Sequence, residues 1–282
     1  MTGAQRPLAG RTMIMSGGSR GIGLEIAKRA AADGANITLI AKTDAPHPKL
    51  PGTIHTAGAE LEAAGGTVLK YLGDVRDDEA VADAVRQTVE RFGGIDMVVN
   101  NASAIDISPT ELLPMKKYDL MQDINCRGSF LLSKLSIPAL KESAQAGRNP
   151  HILTLSPPLN LDPKWAGMAL GYTIAKYGIS LTTLGLSEEL RKYGIGVNSL
   201  WPRTTIATAA VKNLLGGEEM IATSRTPDIY ADAAYLVLTS PAKDTTGNFF
   251  IDDDVLAAYG ITDLDKYRVV PGDGELTTDL FL

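Results

Sequence analysis

Residues 12–23 read Thr12-Met13-Ile14-Met15-Ser16-Gly17-Gly18-Ser19-Arg20-Gly21-Ile22-Gly23. Thr12–Met15 is a β-like apolar run, the glycines make a turn, and the pattern from Ile22 to Ala32 predicts a helix closed by Gly34. Gly17, Gly21 and Gly23 follow the spacing G-x3-G-x-G. At a strand–turn–helix junction the missing Cβ atoms let the backbone approach a pyrophosphate, and the helix N-terminus attracts its charge. Glycines alone are weak evidence, since an ordinary tight turn has the same composition. Their place after the first strand favours a dinucleotide.

The alternation continues along the chain. Strands are expected over Asn36–Ala41, Thr67–Leu72, Ile95–Asn100, Ile152–Ser156, Gly196–Trp201 and Asn248–Asp252. Helices are expected from a Thr53 cap to Ala64, and over Asp77–Phe92, Tyr118–Leu135, Tyr172–Tyr193 and Pro227–Leu238. Pro46, Pro48, Pro51 and Gly52 make a long loop after the second strand. Such alternation implies an α/β protein whose parallel sheet is covered on both faces. No linker interrupts it, so residues 1–282 read as one domain. Its core spans about 10–255, and an irregular extension over 256–282 is expected on the surface or at a subunit contact.

Composition narrows the function. The formal net charge of -6 argues against nucleic acid and against an anionic membrane surface. Met1–Arg11 lacks an apolar signal core, and no apolar run approaches the ~20 residues that span a bilayer. A single cysteine, Cys126, excludes an internal disulfide and fits a reducing cytoplasm; it reads as a packed helix residue. His47, His55 and His151 are scattered, so no metal site is expected. Asp252-Asp253-Asp254 reads as a solvated strand end.

Tyr172 and Lys176 are four residues apart, about one helical turn, and share a face. A tyrosine ordinarily ionises near pH ~10. A nearby ammonium favours the phenolate and would let it exchange a proton near neutral pH. Cofactor choice is also a matter of charge. NAD sites carry an acid near the end of the second strand, but here that strand runs into Ala41-Lys42-Thr43. Lys42 and Arg20 together favour the 2′-phosphate of NADP(H), with NAD(H) the lesser choice, unless Lys42 is simply a solvated loop lysine. Asp74 is either a partner for the adenine amino group or a cap for the helix near Asp77.

With these residues in view the chain resembles the short-chain dehydrogenase/reductase family over roughly residues 10–255. Ser16–Gly23 matches the family's TGxxxGxG turn, with Ser16 for threonine. Asp74-Val75 matches its DV pair, Asn100-Asn101-Ala102-Ser103 its NNAG segment, Asn125 its catalytic asparagine, and Tyr172–Lys176 its YxxxK. Some segments, among them Ala41-Lys42-Thr43 and Ser156-Pro157-Pro158-Leu159-Asn160-Leu161, resemble a branch whose longer members add a sterol-carrier domain.

The resemblance implies a Rossmann-type doubly wound, seven-stranded, mostly parallel sheet, commonly in a homo-oligomer, a tetramer or dimer. It makes Tyr172 the general acid/base, Lys176 its helper and the holder of the nicotinamide ribose, and Asn125 the anchor of a proton relay. It places the cofactor on Gly17, Ser19, Arg20, Gly21, Ile22, Gly23, Lys42, Asp74, Val75, Asn101, Ala102 and Ser103. Pro202, Ile206 and Thr208, in a segment like the family's PGxIxT clamp with Arg203 for glycine, would face the carboxamide. Ala209, Val211, Leu214 and Leu215 could form an apolar lid. Trp165, Met168, Leu170 and Trp201 either wall a pocket for a hydrophobic small-molecule substrate or are plain core residues. One departure stands out. The family's catalytic serine position falls on Pro157, so Ser156 is the nearest hydroxyl. Either the loop swings Ser156 into the site, or Ser156 only bonds backbone and the protein is a nucleotide-binding scaffold or sensor with weak catalysis.

Overall fold

A computed structural model describes residues 7–46 and 50–282; residues 1–6 of the N-terminal segment and residues 47–49, which include His47 and Pro48, lie outside it. One sheet holds β1 (Thr12–Ser16), β2 (Asn36–Ala41), β3 (Thr67–Leu72), β4 (Met97–Asn100), β5 (His151–Leu155), β6 (Gly196–Trp201) and β7 (Phe249–Ile251). Its order is β3-β2-β1-β4-β5-β6-β7, and every pairing is parallel. The order reverses between β1 and β4, so the crevice for a ligand opens at their carboxyl ends.

The helices are α1 (Gly21–Ala31), α2 (Ile54–Ala63), α3 (Asp78–Phe92), α4 (Met115–Met121), α5 (Ser129–Gln145), α6 (Pro163–Met168), α7 (Leu170–Arg191), α8 (Gly217–Ala222), α9 (Pro227–Thr239) and α10 (Asp252–Ala258). A π-helical turn, Gln122–Gly128, joins α4 to α5. The pleat divides the core. Met13 and Met15 of β1 pack with Ile26, Leu61, Val237 and Leu256 on the face carrying α1, α2, α9 and α10. Ile14 packs with Val81, Leu132, Leu140 and Leu186 on the face carrying α3, α5 and α7. Central strands buried on both sides must be apolar throughout, which is why NITLIA and MVVN carry no alternation.

At the amino edge of the sheet, Asp96 is a buried carboxylate. It accepts from the Thr12 N–H (2.8 Å), the Ser143 hydroxyl (2.6 Å) and Arg148 (2.7 and 2.8 Å). Burial pushes its pKa up, but these bonds outweigh it and hold the group below its ordinary value.

Three expectations change. The helix expected at Tyr118 begins at Met115 and runs, through the π turn, to Gln145. Asp252 is not a solvated strand end: it is fully buried and opens α10, accepting from the Arg203 N–H at 2.8 Å. The C-terminal stretch is irregular but does not lie on the surface throughout. Tyr267 and Phe281 are 2% exposed.

His151 opens β5 fully buried, its Nε2 3.0 Å from the Ser240 carbonyl. Burial lowers its pKa from 6.5 to about 4. The unfolded chain therefore binds this proton more readily, so the contribution to stability is complete above about pH 6.5 and is lost as pH falls toward 4. The melting temperature should fall on acidification through that window. His151→Gln, which keeps a donor for Ser240, should show a shallower fall; identical slopes in differential scanning calorimetry would refute this assignment.

Candidate active site

The glycine turn is stitched to the end of β4. Ser16 Oγ accepts from the N–H groups of Asn101 (3.2 Å) and Ala102 (3.1 Å). The Asn101 amide donates back to the carbonyls of Ser16 (3.1 Å) and Gly17 (2.8 Å). There is no room for side chains in this joint. A Cβ on Gly17, which sits at φ +73, would lie 2.8 Å from Ala102 Cα, and one on Gly23 would lie 2.5 Å from Asn101 Nδ2. Arg20, the cap residue of α1, makes no side-chain capping bond, and the first turn carries no acid. Uncapped N–H groups and the positive end of the helix remain available to an anion, as a pyrophosphate requires.

The segment after β6 folds over this cradle. The Thr208 methyl would be 3.5 Å from a Cβ placed on Gly21. Ile206 and Pro202 are buried, and Ile206 bridges to Arg225. Arg203, the departure from glycine, has acidic partners. Its Nε meets Asp253 at 3.1 Å and a terminal nitrogen meets Asp254 at 2.7 Å. Of the expected lid, Val211 is buried while Leu214 is exposed and borders a cavity of about 290 Å³ with Ile105, Ile107 and Lys117.

Beside the carboxyl end of β2, Arg20 donates to the Gly52 carbonyl (3.1 Å) and Ser19 is buried. Lys42 lies 3.8 Å from Asp74. Arg76 grips the Asp74 carboxylate at 2.7 and 3.0 Å and, with burial opposing, holds it below its ordinary pKa. Asp77 caps α3 itself, through Glu79 N–H (3.0 Å) and Ala80 N–H (3.1 Å), so Asp74 is not that cap. Val75 is buried against Gly128, and Ser103 is exposed.

Tyr172 and Lys176 stand on the buried face of α7 at the carboxyl edge of the sheet. Lys176 Nζ donates to the Leu155 carbonyl at 2.8 Å and lies 5.0 Å from the Trp201 ring centre. Burial depresses its pKa to about 8, while Asp279 opposes that shift. Tyr172 is pushed above its ordinary value by burial and then by Asp279. The lysine does not make the phenol acidic in this closed arrangement. Asn125 lies in the π turn, its amide paired with Ala104 through both N–H (2.7 Å) and carbonyl (2.9 Å). Turns of that kind recur at functional sites. Ser156 is fully buried, with its hydroxyl 2.7 Å from that of Ser199, which in turn bonds Thr183 at 2.9 Å. The Pro157 carbonyl accepts from Ser180 at 2.6 Å.

Trp165 and Trp201 reach the Tyr172 cluster, whereas Met168 and Leu170 are exposed. Sequence reading missed Asp279, Phe281 and Tyr177, which also reach it. Leu280-Phe281-Leu282, an apolar triplet after a polar stretch, was the available signal. Asp279 is raised to about 6, burial outweighing the Leu280 N–H and Lys176.

A helix terminus open to a pyrophosphate, beside a tyrosine–lysine pair at one sheet edge, defines a dinucleotide-dependent oxidoreductase. The short chain dehydrogenase profile matches residues 11–218, and the chain belongs to that family. It is 55% identical over 275 residues to hydroxysteroid dehydrogenase-like protein 2 of Danio rerio and 50% identical to that of Homo sapiens. Those alignments cover 98% of this chain, which spans 64% of the length of these relatives. A solved short chain dehydrogenase of Mycobacterium thermoresistibile is 58% identical, with a TM-score of 0.90 over 97% of this chain and 95% of that one.

Gly23→Ala should force Asn101 away from the turn. Overpacking of this kind costs about 1–3 kcal/mol. The expected result is a lower melting temperature together with weaker nucleotide binding by calorimetric titration; undiminished affinity would show that the joint is not needed.

Proposed function

We propose that this chain is a single-domain, NADP(H)-dependent oxidoreductase interconverting an alcohol and a carbonyl on a hydrophobic small molecule. The observation that carries the reading is the lodging of the Tyr172 ring in an apolar cluster with Met121, Trp201, Ile251 and Phe281, beside Lys176. The relatives' name points to steroid-like molecules, and a lipid or terpenoid fits the same cluster. The nicotinamide ring supplies or accepts the hydride. Everything else falls to side chains. The glycine turn holds the pyrophosphate, with Gly17, Ser19, Gly21, Ile22 and Gly23 around it. Arg20 and Lys42 meet the 2′-phosphate, and Asp74 and Val75 flank the adenine. Asn101, Ala102 and Ser103 line the path between, and Pro202, Ile206 and Thr208 close over the far end. Tyr172 exchanges a proton with the substrate oxygen, Lys176 keeps positive charge beside it, and Asn125 orders the relay. Positioned proton transfer contributes about 10²–10⁴-fold.

Tyr172→Phe should therefore lose at least about a hundredfold in turnover across an aldehyde and ketone panel while still binding NADPH. Full activity in that variant would end the assignment. For the cofactor, Arg20→Ala with Lys42→Ala should weaken NADPH binding much more than NADH binding in fluorescence titrations. Equal affinity of the native protein for both nucleotides would refute the charge argument.

A second reading, a nucleotide-binding scaffold or sensor with feeble turnover, is favoured by the engagement of the Ser156 hydroxyl with Ser199. NADPH binding without turnover on any substrate would support it.

The protein is further read as a cytoplasmic homo-oligomer, a dimer or tetramer. Ile174 and Leu181 of α7 are exposed and line one apolar groove with exposed Leu161 and Leu170, and Leu184 and Phe130 are exposed on α7 and α5. Contiguous apolar surface of this kind marks interfaces. Leu181→Glu should halve the mass seen in light scattering, and an unchanged mass would discard this face as the contact.

A further inference from the structure

One ring of the irregular C-terminal segment packs against the reacting phenol. That segment runs antiparallel beside the loop after β6, with Thr204 opposite Thr278. The Thr205 N–H donates to Thr277 O (2.9 Å), the Thr277 N–H to Thr223 O (2.9 Å) and the Asp279 N–H to Arg203 O (3.0 Å). The Trp201 indole N–H donates to Leu280 O (2.8 Å), and Asn160 donates to Phe281 O (3.2 Å). Phe281 sits at φ +72, a conformation that a bulky side chain rarely holds. Its ring centre lies 5.9 Å from Trp165, 6.2 Å from Tyr172, 5.4 Å from Tyr177 and 5.9 Å from Trp201.

Four aromatic rings thus surround a fifth. Phe281 is 2% exposed and Tyr172 only 5%. A substrate oxygen must come within hydrogen-bond reach of the Tyr172 hydroxyl, so whatever covers that ring has to yield. α7 and β6 are locked into the core, whereas Phe281 is carried by a segment outside every helix and strand, tied down by a handful of hydrogen bonds. The Trp165 indole N–H is also buried without an acceptor among the described residues. A buried donor lacking a partner is costly, and a ligand bearing an oxygen would relieve it.

We propose that the box formed by Trp165, Tyr172, Tyr177 and Trp201 is the binding site for a flat ring of the substrate, and that Phe281 occupies it until the substrate displaces residues 277–282. This deepens the oxidoreductase reading and rests on its placement of Tyr172. The substrate class is a cyclic ketone or alcohol with a flat apolar ring system, since an alkyl chain cannot reproduce edge and face contacts at these spacings. Displacement makes the apparent affinity depend on the fraction of chains already open.

The test is binding of 2-tetralone to the protein loaded with NADP+, a pair that cannot react. Both tryptophans of the chain border Phe281, so their emission reports the box directly. Emission should change saturably on titration, and amide hydrogen exchange in 270–282 should speed up, at Thr277 and Asp279 by about tenfold or more. Phe281→Ala should bind 2-tetralone about tenfold more tightly, and dodecanal with little change. Slower exchange of the segment with ligand bound would make it a fixed wall and overturn the proposal. So would unchanged 2-tetralone affinity in a well-folded Phe281→Ala; if that variant does not fold, exchange in the native chain decides. Tyr172→Phe should keep these binding signals while losing turnover, which separates failure of the box from failure of the enzymatic reading.

Discussion

Seven strands pointing the same way impose the constraint on which the rest depends. Parallel pairing cannot close with hairpins, so each strand must hand over to a crossover. All carboxyl ends then share one edge. Ser16, Lys42, Asn100, Ser156 and Trp201 lie at or next to strand ends and are brought to that edge by register alone. The Ser16 hydroxyl turns this common edge into a fixed crevice, because it ties the turn after β1 to the chain leaving β4.

Burial governs the chemistry that the edge can perform. An ammonium beside a phenol is the familiar arrangement for a mild acid/base, yet dehydration acts on both partners first. It favours neutral lysine and neutral tyrosine, and the nearby Asp279 carboxylate adds to the effect on Tyr172. Hydrating the pair restores the charged lysine and lowers the barrier to ionising the phenol, whereas removing Asp279 eases ionisation of the phenol but takes from the lysine the carboxylate that supports its charge. Segment position and proton affinity are thereby coupled through solvent access.

Most strands and helices and the α7 pair were legible because each rests on a local pattern. A glycine spacing, an apolar run and a four-residue interval all lie within one element. Ser156 was harder to judge, since its orientation depends on Ser199 and Thr183, which are distant in sequence. The role of residues 277–282 was not legible. An apolar triplet after a polar stretch fits a surface tail as well as a buried plug, and only the aromatic rings of α6, α7 and β6 decide between them. Asp252 failed for a related reason. A run of three acids suggests solvent, unless the Arg203 N–H that Asp252 accepts from, and the guanidinium that meets Asp253 and Asp254, are known to arrive from another loop.

That guanidinium also bears on how the sequence can drift. Arg203 and Arg225 face Asp253, Arg203 meets Asp254, and Asp252 caps the backbone of Arg203. Replacing Arg203 by glycine would keep the N–H that Asp252 accepts from but would take the guanidinium away from Asp253 and Asp254. Neutralising the acids first would leave the Arg203 guanidinium to water alone. The two sites are therefore coupled, so a change on one side alters what a change on the other side does.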